Sequence, residues 1–138
     1  MENKNADLAE QLSVAKSELD GYEGEERIKI WFEDDNSEEI GFIIWNGFFN
    51  TILEGCFYSD FQKNGIIECY YNQNGFYDEI WEMIHPEIVL EELRRFNDNS
   101  LDTQNKEIIV IVKEVIGQLI SLINAAVSKK EKIYIEYE

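Results

Sequence analysis

Hydrophobic and polar positions change their period several times along this chain, and each change marks an element. Leu8, Leu12, Ala15 and Leu19 recur at intervals of four, three and four, which aligns them on one stripe of a helix over 5–20. Gly21 and Gly24 close it. The stripe is narrow, so this helix packs on the surface of the domain or pairs with a second copy of itself. From Arg27 the period drops to two. Ile28, Ile30 and Phe32 alternate with Lys29, Trp31 and Glu33, as in a strand with one buried face. Asp34-Asp35-Asn36-Ser37 is turn chemistry, because short Asx and Ser side chains bond their own backbone. A second strand over 39–45 closes a hairpin.

Three Asn-Gly pairs follow, at 46–47, 64–65 and 74–75. Asn-Gly accepts the positive φ angles of a type I′ turn, so each pair flanked by β-rich sequence reads as a hairpin. The pair at 64–65 has the strongest flanks, Gly55 to Phe61 before it and Ile66 to Tyr71 after it. Phe48 to Glu54 fits either a strand or a short helix. After Gly75, Phe76, Ile80, Met83 and Ile84 share one face of a helix. His85-Pro86 opens another that carries Ile88, Leu90, Leu93 and Phe96, since proline suits a first helical turn. Asn97-Asp98-Asn99-Ser100 ends it.

The longest periodic segment, 104–128, places Ile108, Val112, Val115, Ile116, Leu119, Ile120, Ile123 and Ala126 on one broad face. Its β-branched start, Ile108 to Val112, could also form a strand, but length and spacing favour a helix. Residues 132–138 alternate as a terminal strand. The expected fold is α+β: one mainly antiparallel sheet, a meander of three to five strands plus the C-terminal strand, packed by the long C-terminal helix. An N-terminal helix and a central helical pair complete a single domain over 1–138.

Composition adds charge to this picture. The chain has 29 acidic and 12 basic side chains, a net charge of −17, yet 44% of it is hydrophobic and 13% aromatic. Disordered acidic segments lack that apolar content, so this chain should fold. The acids concentrate at 18–39 and again at 78–92. Such a surface repels itself, a cost that solubility or a positively charged partner offsets. It also repels nucleic acid, whose phosphates need Lys and Arg. No stretch approaches the ~18 uninterrupted apolar residues of a membrane span, and the N-terminus opens polar, so a cytoplasmic chain is expected.

Candidate chemistry is sparse. His85 is the single histidine, and Cys56 and Cys69 lie in apolar, aromatic surroundings that raise a thiol pKa. One His and two separated Cys do not assemble a structural zinc site. The acidic run 34–39 lacks the alternation and central glycine of a calcium loop. No phosphate-cradling glycine motif is present. These features point away from an enzyme and from a metal or cofactor, and toward recognition of a basic protein. Trp31, Trp45, Trp81, Tyr70, Tyr71 and Tyr77 are each either core residues or anchors for such a partner.

In size, charge and style the chain resembles the small acidic immunity proteins that bacteria encode beside toxins, many of them nucleases. Residues 70–82, Tyr-Tyr-Asn-Gln-Asn-Gly-Phe-Tyr-Asp-Glu-Ile-Trp-Glu, resemble the tyrosine pair, asparagine and following acidic helix with tryptophan by which the barstar family of ribonuclease inhibitors faces its enzyme. The resemblance implies an inhibitor whose interface includes Tyr70, Tyr71, Asp78 and Glu82. Tyr77, Glu79 and Trp81 extend that region, and Asp34 and Asp35 mark a second acidic one on the hairpin turn. A monomer is expected. The other readings are a nucleic-acid mimic that inhibits a DNA-binding protein and an acidic secretion chaperone, which would be dimeric.

Overall fold

A computed structural model describes residues 26–56, 65–72, 80–101 and 105–137. The expected N-terminal helix over 5–20 lies outside them, as do Tyr77, Asp78 and Glu79. The described elements run β1 (Arg27–Glu33), β2 (Glu39–Trp45), α1 (Asn46–Cys56), α2 (Ile66–Asn72), β3 (Trp81–Met83), α3 (Pro86–Arg94), a 3-10 turn at Asp98–Ser100, α4 (Lys106–Lys129) and β4 (Ile133–Tyr137). The strands form one antiparallel sheet in the order β2-β1-β4-β3, and the long C-terminal helix packs on it, an α+β fold as expected.

The β1–β2 hairpin forms where the period-two pattern places it. Ile28, Ile30 and Phe32 face Ile44, Phe42 and Ile40 of β2 and Tyr137, Ile135 and Ile133 of β4. Three strands thus present one continuous apolar face, on which Ile28, Ile30 and Phe32 are fully buried. The turn is held by Asp34, whose carboxylate accepts from the N–H groups of Asn36 and Glu38, each at 2.9 Å. Gly41 sits mid-strand because a Cβ there would run into the backbone of β1 at Ile30 and Trp31.

Helices α1, α3 and α4 pack on this inner face. Val112, Val115, Leu119, Leu122, Ile123 and Ala126 of α4 join the strand residues in one core with Phe48, Phe49 and Ile52 of α1 and Val89 and Leu93 of α3. Burying one such side chain contributes roughly 1.5–3 kcal/mol, which overrides the weak helix propensity of the β-branched Ile108 to Val112. Asn105 starts α4 by accepting from the N–H groups of Glu107 at 3.0 Å and Ile108 at 3.3 Å. Lys130, left-handed at φ 58°, ends it. By length and composition α4 is apolar enough to cross a bilayer; here its apolar stripe lies against the sheet.

Several sequence expectations need correction. Asn46-Gly47 opens α1 instead of turning a hairpin, because Phe48, Phe49, Ile52, Leu53 and Cys56 have helical spacing and bury together. The segment Phe48 to Glu54, whose sequence fits either a strand or a short helix, is helical. Gly55 and Cys56 end α1, and residues 57–64 lie outside the described ones; in place of the strand expected after Asn64-Gly65, Ile66 to Asn72 is helix α2. Its β-rich composition yields to tertiary context, with Ile66 and Ile67 buried on the core. Met83 is in strand β3 instead of a helix, since Trp81 and Met83 face inward beside Ile135 and Ile133 while Ile80 and Ile84 are exposed. The sheet is therefore a hairpin extended by β4 and then β3, not a meander. Helix α3 begins at Pro86 as expected and stops at Arg94, ahead of Phe96.

Candidate partner-binding site

Two regions carry the acidic candidates, and their chemistry differs. In the β1–β2 turn, Asp34 spends its carboxylate on its own backbone, and neighbouring Glu39 pairs with Lys29 at 2.6 Å. Asp35 is exposed. The Lys29 ammonium also lies 4.5 Å from the centre of the Trp31 ring, which stacks obliquely on Tyr134. Trp31 is only 5% exposed, so it is not a free anchor, and its indole N–H has no acceptor. Trp45, half-buried, packs edge-on against Phe48.

The second region is a corner built from α2 and β3. Tyr70 is half-buried, tilted against Phe49 with ring centres 5.7 Å apart, and its hydroxyl donates to Asn50 Oδ1 at 2.8 Å. That fixes Tyr71 beside it, edge to face and 65% exposed. The side-chain hydrogen bond between Trp81 and Cys69 ties the two elements together. Along β3 the outward residues are Ile80, Glu82 and Ile84; both isoleucines are more than half exposed, and Glu82 lies 3.8 Å from Lys132. An ion pair this open is worth about 0–1 kcal/mol. Beyond the strand, His85 and Glu87 approach to 3.4 Å at the start of α3.

The Trp81–Cys69 hydrogen bond joins β3, which carries Trp81 and Glu82, to the helix that carries Tyr70 and Tyr71, whereas Asp34 and Asp35 lie on the hairpin turn. The tyrosine pair is on a helix and Trp81 and Glu82 are on a strand, the reverse of the expected arrangement. Ile80 and Ile84 were not among the expected contact residues. No local signal marks them, since Ile80, Trp81, Met83 and Ile84 are all apolar and the pairing of β3 with β4 decides which of them face outward.

Beneath the corner lies Glu92 of α3, 2% exposed. Its Oε1 accepts from the Ile66 N–H at 2.6 Å, and the Ile67 N–H also bonds it, so a side chain of α3 caps the first turn of α2. Desolvation pushes the Glu92 carboxyl above the usual carboxylate range; those two N–H groups and Arg95 oppose the shift, and Glu68 adds to it. A carboxylate among the apolar positions Val89, Leu90 and Leu93 was its signal in the sequence. Burial pushes the Cys56 thiol up to about 12, with the Glu92 charge adding to the shift, and raises Cys69 as well. Both shifts favour the protonated thiol over the thiolate that nucleophilic attack needs. Among the described residues no group of three metal-ligating side chains comes together.

Comparison with protein families, with curated proteins and with solved structures finds no match to this chain.

Proposed function

We propose that the chain is an immunity protein that binds a basic toxin domain, in particular a nuclease, and neutralises it by covering its active site or substrate path. The observation that carries this reading is the set of exposed apolar side chains on two elements joined by the Trp81–Cys69 hydrogen bond, Tyr71 on α2 and Ile80 and Ile84 flanking β3, on a chain of net charge −17. Large apolar side chains supply affinity once desolvated, while the surrounding acids speed encounter with a basic surface and select against acidic ones. The inhibitor acts as a cytoplasmic monomer without a cofactor.

Co-expression with the protein encoded beside it, followed by stopped-flow mixing of the two, tests the reading. The expected result is a tight complex whose association slows at least tenfold between low and high salt, as screening shortens to about 8–10 Å. Charge reversal at Asp78 and Glu82 should weaken it more than reversal at Glu25 and Glu26. No complex, or one indifferent to salt and to all four reversals, contradicts the proposal.

A further inference from the structure

Among the described residues, Glu92 is the one charged side chain that the fold buries, and no catalytic or metal-binding role accounts for it. Its position relative to α2 is specific. Oε1 accepts from the first N–H of that helix across 26 residues of sequence, and Gly65, immediately before the helix, leaves no room for a Cβ because the carboxylate occupies it. Oε2 is buried with no partner. A short helix of β-rich composition has little stability of its own, so an acceptor at its first turn matters more here than in α4, which is three times as long and capped by the adjacent Asn105.

We propose that Glu92 is a positioning residue for the tyrosine pair: its buried carboxyl group clamps the first turn of α2 to α3, and burial of the unpartnered Oε2 makes that clamp sensitive to pH. An ionised carboxylate with one bare oxygen is costly away from water, and two N–H donors offset only part of that cost. The titratable groups around it are Cys56 on α1, Glu68 and Cys69 on α2, and Arg95 just after α3. Burial favours the protonated form of both thiols, and Arg95 and Glu68 act with opposite signs. When α2 lifts away, the carboxyl reaches water and ionises freely. Opening therefore releases a proton, and rising pH favours it.

The functional importance of the clamp rests on Tyr71 belonging to the docking surface, but its test needs no partner, so either idea can fail without the other. Amide hydrogen exchange of the full chain, corrected for intrinsic rates, reads the protection of 66–72 between pH 5 and 8. In the wild type that protection should fall several-fold as pH rises. Glu92→Gln keeps an acceptor for Ile66 but cannot ionise, so it should hold α2 protected and level across the range. Glu92→Ala should leave α2 poorly protected throughout while α4 stays protected. The same pH slope in Glu92→Gln as in the wild type overturns the proposal, and so does full protection of α2 in Glu92→Ala. Should the alanine variant fail to fold, the slope of the glutamine variant decides alone.

Discussion

The β1–β2 turn and the α2–β3 corner are both acidic, but their carboxylates do different work. In the turn, Asp34 holds two backbone N–H groups and Glu39 holds Lys29, so much of the local charge maintains the hairpin. In the corner, Glu82 alternates along β3 with the exposed Ile80 and Ile84, and Tyr71 projects from α2 with 65% of its surface exposed. Charge acts over a Debye length and sets how fast partners meet; desolvated aromatic and aliphatic groups set how long they stay. A region with both is suited to hold a partner, and a region of charge alone is suited to steer one.

The comparison can be broken at the floor of the corner. Phe49 is fully buried under Tyr70, and Phe49→Ala should cost about 3–5 kcal/mol in urea unfolding, more than any change in the turn. Gly65→Ala forces a methyl group into the space of the Glu92 carboxylate and should cost about 1–3 kcal/mol. In the turn, Asp34→Ala removes the acceptor of two exposed N–H groups and should cost only about 1 kcal/mol. A larger loss at Asp34 than at Phe49 would place the structural weight of the molecule at the hairpin.

Titration separates two further carboxylates by sign. Glu92 is raised by desolvation, so its contribution to stability is complete below the usual carboxylate range and is lost as pH rises through its folded value. Asp98 is lowered by the hydrogen bond from Lys113, 2.8 Å away, so its contribution is present above that range and is lost as pH falls through its folded value. Denaturation midpoints measured against pH should therefore lose the decline above the usual carboxylate range in Glu92→Gln and a small decline below that range in Lys113→Met.

Legibility in the sequence follows the range of the forces involved. The hairpin, α4 and β4 lie close to where periodicity places them because their patterns are local: alternation in β1, an apolar stripe and an adjacent Asn105 cap in α4. The start of α3 at Pro86 is equally local. Helix α2 was illegible because Ile66-Ile67-Glu68-Cys69-Tyr70-Tyr71 favours a strand by composition, and what fixes it as a helix is core burial and a carboxylate 26 residues away. Strand β3 falls where the spacing predicts a helix, because three residues are too few for a period to show and pairing with β4 decides them. Of the candidate site, Tyr71 and Glu82 could be picked out by residue type. The exposure of Ile80 and Ile84, and the burial of Trp31 on the other side of the sheet from the core, depend on strand pairing that no local pattern reveals.

The central claim is that a basic partner is held at the corner of α2 and β3 and only steered by the hairpin turn. Titration calorimetry against the basic toxin domain proposed as its partner, sought among the products of neighbouring genes, tests it most directly, using Tyr71→Ala with Glu82→Lys in one variant and Asp35→Lys in another. Loss of one aromatic anchor and reversal of a neighbouring charge should weaken binding by about tenfold to a thousandfold, while the turn variant should stay within about threefold of the wild type. A turn variant that loses as much affinity as the corner variant, or a corner variant that binds as the wild type does, would contradict the account.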